Sequence, residues 1–186
     1  MNKIINKKFF EQDALEVGRK LLGKIIEYKG CKGMIVETEA YKNDQASHAY
    51  KITPRSKIML DTYGHWYIYF VYGNYYCLNI TTNKNNAGAV LIRALEPIKN
   101  IKKMIKRRNT SKVENLTSGP GKICQALGIT KKLNGTKIND KIKIFNYKSF
   151  KKEQILTSSR IGIKKDLELP WRFYLKDNKF VTKATS

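Results

Sequence analysis

Residues 66 to 82 read WYIYFVYGNYYCLNITT, and the reading of this stretch decides the fold class. Two runs rich in aromatic and β-branched residues flank Gly73-Asn74, a turn signal, so the chain doubles back here as a hairpin. A polar turn from Asn83 to Gly88 leads into AVLIRAL at 89 to 95, a third strand. Toward the N-terminus, KIIEY at 24 to 28 and GMIVETEAY at 33 to 41 are two further strands, separated by Lys29-Gly30. Before them, Phe10, Ala14, Val17 and Leu21 recur at helical spacing, which predicts an amphipathic helix over 11 to 22 with Gly23 as its cap. Toward the C-terminus, Ile98, Ile101 and Ile105 mark one face of a Lys-rich helix beginning after Pro97. Residues 109 to 118 read as a linker, and KICQALG as a short helix after Gly119-Pro120-Gly121. KIKIF reads as a strand, SRIGIKK as a strand or turn, and PWRFYL as a final strand. Strands and helices mixed without βαβ alternation predict one α+β domain over 1 to 186, with an antiparallel β-sheet core, flanking helices and a protruding β-hairpin. The polar stretch from Asn43 to Tyr63 is expected to be a long loop, and such loops are usually functional.

At 186 residues and 41% hydrophobic composition the chain can bury a core. Its 37 Lys and Arg against 15 acidic residues give a formal net charge of +22. That excess points to a polyanionic partner, with nucleic acid the best fit because phosphate neutralisation releases counterions. A Lys-rich solvated surface is the bland alternative. Cys31, Cys77 and Cys124 are far apart and form no C-x-x-C pair, so neither a zinc site nor a disulfide framework is indicated. His48 and His65 lack the clustered partners that a metal needs. The N-terminal MNKIINKKFFEQDALEV has too interrupted an apolar run for a signal peptide, and no stretch approaches membrane-spanning length. A cytoplasmic chain with no membrane, metal or cofactor is expected.

Two patterns carry chemistry. In IVETEAY a strand places Glu37, Glu39 and Tyr41 on one face, although carboxylates are depleted in strand interiors. A solvated face and a catalytic carboxylate are both open readings; cleavage of a glycosidic bond needs a carboxylate to activate water and to stabilise an oxocarbenium-like sugar. Residues 66 to 76 hold seven of the chain's twenty aromatic side chains. Core packing explains some of them, but tyrosines on both faces each need a hydroxyl partner, and base stacking uses the same chemistry. His48 in QASHAY is open as a surface residue or a stacking one. SGPGK at 118 to 122 is either an ordinary turn or a phosphate cradle ahead of a helix, without the Walker spacing. A binding module without catalysis would share the charge and the tyrosines but would not need Glu37 and Glu39 beside an aromatic wall. An ordinary glycoside hydrolase would have little use for the charge.

IVETEAY, ASHAY, TPRSKIM, WYIYFVYGNYYCLNI, AVLIRALEP, SGPGKICQALGI and SRIGI, in this order, resemble the 3-methyladenine or alkyladenine DNA glycosylase family of animals and bacteria, which is distinct from the helix-hairpin-helix glycosylases. The resemblance runs from about residue 9 to residue 182. It implies a monomeric enzyme acting on double-stranded DNA that contains alkylated bases. Glu39 would deprotonate and position the attacking water. Arg93 would help hold that water and the flipped nucleotide's phosphate, and Glu37 would support them. Tyr41, His48 and Tyr69 would form the stacking walls of the base pocket, and Tyr72 would fill the gap left by the flipped nucleotide. Asn79 would crowd the 2-amino group of guanine. Arg55 and Lys57 in the 42 to 57 loop, with Lys122, would contact DNA. No lysine nucleophile is implied, so the product would be an abasic site without strand cleavage.

Strand geometry adds a condition that the resemblance does not contain. A two-residue turn at Gly73-Asn74 would place Tyr69 and Asn79 on opposite faces of the hairpin. A three-residue connection, Gly73-Asn74-Tyr75, would pair Tyr69 with Asn79 on one face. An odd-length loop or a bulge is therefore expected.

Overall fold

The computed structural model describes residues 3 to 71 and 73 to 183. After a 3-10 turn at Lys7–Glu11, α1 (Ala14–Leu21) begins where Asp13 caps it, its Oδ1 accepting the Leu15 N–H at 2.9 Å. The helix therefore starts three residues later than its apolar spacing predicts. It buries Ala14, Val17, Gly18 and Leu21. At Gly18 a Cβ would stand 3.0 Å from the Phe173 ring, and the Gly18 carbonyl accepts Thr38 Oγ1 at 2.9 Å, so the helix lies closer to the sheet than a larger residue allows.

β1 (Ile25–Tyr28) and β2 (Cys31–Tyr41) form a hairpin whose two loop residues, Lys29 and Gly30, both take positive φ, the conformation that matches strand twist. The polar loop follows, containing one short helix, α2 (Ile58–Asp61). Next come β3 (Trp66–Val71), β4 (Tyr75–Thr82) and β5 (Gly88–Lys99). β5 runs through Pro97, where it has β2 on one edge only, so the missing N–H is tolerated. Asn100, at φ 59°, then turns the chain into α3 (Ile101–Arg108). Ile98 is thus an exposed strand residue and not part of the helix, whereas Ile101 and Ile105 do pack on the core. α4 (Pro120–Leu127) ends at Gly128, whose positive φ suits a helix stop. The last strands are β6 (Lys143–Phe145), β7 (Ile155–Ser158) and β8 (Arg172–Leu175). β7 was not expected, and SRIGI is irregular chain between β7 and β8.

The described strands pair antiparallel in the order β3-β4-β5-β2-β1-β6, with β8 joining β2 and β7. The expected α+β architecture around an antiparallel sheet is what the chain adopts. β2 is the hub: β5 lines one edge along its length, while β1 and then β8 take the other. Where β2 changes partner, the register with β5 slips twice, passing over Val36 on one strand and Arg93 on the other. Bulges of this kind re-aim side chains. Trp66, Ile68, Leu78 and Ile80 face the main core, while Tyr67 joins Ala49, Met59 and Ala89 in a smaller cluster.

The hairpin settles the parity question. Val71 pairs with Tyr75, leaving three residues between them, so the connection is odd and Tyr69 shares a face with Asn79. The exact pairing differs from expectation: Tyr69 opposes Cys77, and Asn79 opposes Tyr67. Tyr75 already belongs to the strand, where its ring packs against Gly121, at which a Cβ would come within 2.9 Å.

Candidate active site

Glu37 and Glu39 are fully buried, which rules out the solvated-face reading. Glu37 Oε1 accepts Nε of Arg93 at 3.0 Å and Nε of Arg172 at 2.7 Å, and its Oε2 accepts the Thr182 N–H at 2.7 Å. Glu39 Oε1 accepts the Ile161 N–H at 2.7 Å and lies 3.3 Å from Arg93 Nη1, while its Oε2 accepts the Tyr41 hydroxyl at 2.8 Å. Two carboxylates thus meet two guanidinium groups in a charge-balanced cluster, the condition under which buried charge is tolerated. Burial opposes the charge on Arg93, but Glu39 and Glu37 more than offset that, and its pKa is raised. Arg93 reaches both carboxylates from the register slip that singles it out on β5.

Beyond Tyr41 lies a small pocket lined by Tyr41, Ala46, Ser47, His48, Met59, Tyr67, Tyr69, Asn79 and Ala89. The free space among them is about 30 Å³. Glu39 does not line it directly and meets it through the Tyr41 hydroxyl. His48 stands edge-on to Tyr69 with ring centres 4.8 Å apart. Its Nδ1 is 2.9 Å from the Tyr67 hydroxyl, and its Nε2 is 3.3 Å from Nη2 of Arg55. A guanidinium only donates, so Nε2 is the acceptor and Nδ1–H donates to Tyr67. Burial, and then the Arg55 charge, hold the His48 pKa below its usual 6.5. Burial pushes Tyr67 up to about 12 and raises Tyr41 and Tyr69 as well, so the walls are neutral phenols. Asn79 is pinned, its Nδ2 donating to the carbonyls of Tyr67 at 3.1 Å and Cys77 at 3.4 Å. The three cysteines are free and buried, and burial lifts the Cys77 thiol to about 11.

Most of the residues named from the sequence fall into three groups. Glu39 and Arg93 meet in the carboxylate cluster, and Tyr41, His48, Tyr69 and Asn79 meet in the pocket, with Arg55 at its rim. Lys122 lines a separate groove of about 370 Å³ with Val71, Tyr75, Cys77, Arg108 and Gly119 to Gly121. Lys57 is exposed, 3.9 Å from Asp61, and lines neither. The expectation for Tyr72 lies outside the described residues. Four participants were missed. Arg172 sits inside the predicted PWRFYL strand, and Tyr67 was one tyrosine among many. Arg160 and Ile161 belong to SRIGI, noted for its resemblance but given no role. Arg160 grips Asp44 through two contacts of 2.7 and 3.2 Å and lies between the rings of Tyr41 and Trp171. A buried arginine beside an isolated aspartate is only legible once the fold brings them together.

Among the described residues no group of three or more His, Cys, Asp or Glu could hold a metal, and no helix is long and apolar enough to cross a membrane. A sequence profile of the methylpurine-DNA glycosylase family matches residues 8 to 179. Curated relatives whose names include the words 3-methyladenine DNA glycosylase are similar along their full length. One from Prosthecochloris aestuarii is 45% identical, covering 100% of this chain and 93% of the relative. Others from Alkaliphilus oremlandii (96% and 98% covered) and Methanoculleus marisnigri (94% and 96%) are 41% identical.

Proposed function

The chain belongs to the methylpurine-DNA glycosylase family, and on that premise we propose that it excises alkylated purines of the 3-methyladenine class from double-stranded DNA. It does so by flipping the base and hydrolysing its N-glycosidic bond with water. The observation that carries this reading is the hydrogen bond from Tyr41, on the wall of an aromatic pocket, to Glu39, a buried carboxylate balanced by Arg93.

Charge and stacking prepare the reaction. A purine alkylated at N3 or N7 is cationic, so neutral electron-rich rings of Tyr41 and Tyr69, with His48, attract it, and a damaged pair costs less to unstack. As the glycosidic bond breaks, its electron pair passes to the base, which leaves neutral and needs little protonation. The positive charge left on the sugar is faced by Glu39. A water between Glu39 and the anomeric carbon gives its oxygen to that carbon and its proton to Glu39 Oε2, whose partner from the protein is the Tyr41 hydroxyl. Arg93 fixes the opposite oxygen. Its Nη2 has no hydrogen-bond partner among the described residues and is the edge it offers to water or a phosphate. Asn79, locked on two carbonyls, leaves the 2-amino group of guanine no room.

Lys122 and Arg108 beside the hairpin, with Arg55 and Lys57 of the loop, supply phosphate contacts, and the net charge of +22 supplies general affinity for the duplex. The product is an abasic site, released without strand cleavage. Incubating the protein with alkylated duplex and then heating in alkali tests the reading: breaks appear only after the heating step. A covalent adduct trapped by borohydride, or cleavage before heating, would contradict the water mechanism.

A further inference from the structure

Arg55 reaches the pocket from outside. Its Nη2 contacts His48 Nε2 at 3.3 Å, and its guanidinium carbon stands 5.9 Å from the centre of the Tyr69 ring. A fixed cation therefore rests on the wall where the proposed reaction places a cationic base. The free space of about 30 Å³ holds a water or two and not a purine, so entry of a base requires something to give way. Arg55 is the element able to do so: it is exposed and has no acidic partner among the described residues.

We propose that Arg55 is a specificity-determining residue that competes with the flipped base for the Tyr69 and His48 wall. This rests on the reading of the pocket as a base site. A cationic alkylpurine repels the guanidinium and takes over its place on the Tyr69 face, and a backbone phosphate of the duplex receives the displaced Arg55. A neutral purine brings no repulsion and no charge to replace it. Either base must break the contacts of Arg55 with Tyr69 and His48, and the cationic one must do so against the charge of the guanidinium. If Arg55 only bound phosphate, its removal would weaken every duplex alike and leave discrimination between bases untouched.

The test titrates wild-type protein and Arg55→Ala, without DNA, with 7-methylinosine at a pH where its base is cationic and with inosine, neither of which has a 2-amino group, following tyrosine fluorescence. 7-Methylinosine is expected to bind Arg55→Ala about threefold tighter or better than wild type, with a smaller gain for inosine, which loses only the cation–π competitor and no repulsion. Equal changes for the two nucleosides, no change, or no binding of either by Arg55→Ala overturns the proposal. Excision of 3-methyladenine from a duplex by the wild-type protein is read separately. Its absence, with the nucleoside discrimination as expected, strikes the proposed chemistry and leaves Arg55 its role; normal excision with an undiscriminating Arg55→Ala does the reverse.

Discussion

Glu37 and Glu39 stand two residues apart on β2, are equally buried, and touch the same guanidinium, yet their surroundings differ in kind. Glu37 gives its oxygens to Arg93, Arg172 and the Thr182 backbone, tying β2, β5, β8 and the C-terminal segment together. Glu39 is held by one backbone N–H, the shared arginine and a phenol that belongs to the pocket. Burial and charge pairing are therefore not what distinguishes the two carboxylates. The identity of the group on the last oxygen is. Glu37 is surrounded by fixed protein charge and backbone, whereas Glu39 meets the wall of the pocket in which the proposed reaction places the base.

Substituting each glutamate puts that contrast at risk. Glu39→Gln is expected to lower single-turnover excision by about 10²- to 10⁴-fold, the range for a lost general base, while duplex binding in a mobility-shift assay stays near wild type. Substantial remaining turnover would remove Glu39 from the chemistry. Glu37→Ala leaves Arg172 and Arg93 short of a partner and should cost about 3–5 kcal/mol in denaturant unfolding, as breaking a buried pair does. Unchanged stability would erase the distinction drawn between the two. Tyr67→Phe removes the acceptor of the His48 Nδ1–H, with an expected loss of about 1–2 kcal/mol and a drop in excision far smaller than that of Glu39→Gln. Smaller still, Lys122→Ala should lower the slope of log affinity against log salt by about one. Lys57→Ala should lower it by less, because Asp61 at 3.9 Å already offsets part of the charge that this lysine offers a phosphate.

pH separates the pocket from the carboxylate cluster in a further way. His48 is depressed in the folded chain, so the unfolded chain binds its proton more readily. Its contribution to stability is complete above the unfolded value of 6.5 and is lost as pH falls through the lower folded value. Unfolding measured between neutral and mildly acid pH should show a shallower acid decline in His48→Gln than in wild type; identical slopes would mean that His48 is not held neutral. Cys77 gives the opposite limb: raised to about 11 by burial, it contributes fully below its ordinary value of 9.0 and is lost as pH rises through 11.

Much of the pocket was legible from parity. A strand shows alternate residues on one face, so Glu37, Glu39 and Tyr41 had to point together, and an odd connection was the condition for Tyr69 and Asn79 to do so. The register itself was not legible: Asn79 opposes Tyr67 because Tyr75 enters the strand one position early, against a glycine on α4. The Ile98 assignment failed for a related reason. Helical spacing at 98, 101 and 105 cannot show that β2 holds β5 in the sheet through Lys99. β7, four residues with little burial, had no pattern strong enough to announce it.

From the sequence alone came the strand-rich α+β class, the polyanionic partner, and the residue types for glycosidic chemistry, because alternation, net charge and composition are local or additive properties of a chain. Only the tertiary structure decided that both glutamates are buried and which protein groups occupy each of them. Arg172, Thr182, Ile161 and Arg160 lie more than a hundred positions from the carboxylates they bind. Such contacts are set by how the sheet closes on its C-terminal segment, and no periodicity along the chain records them.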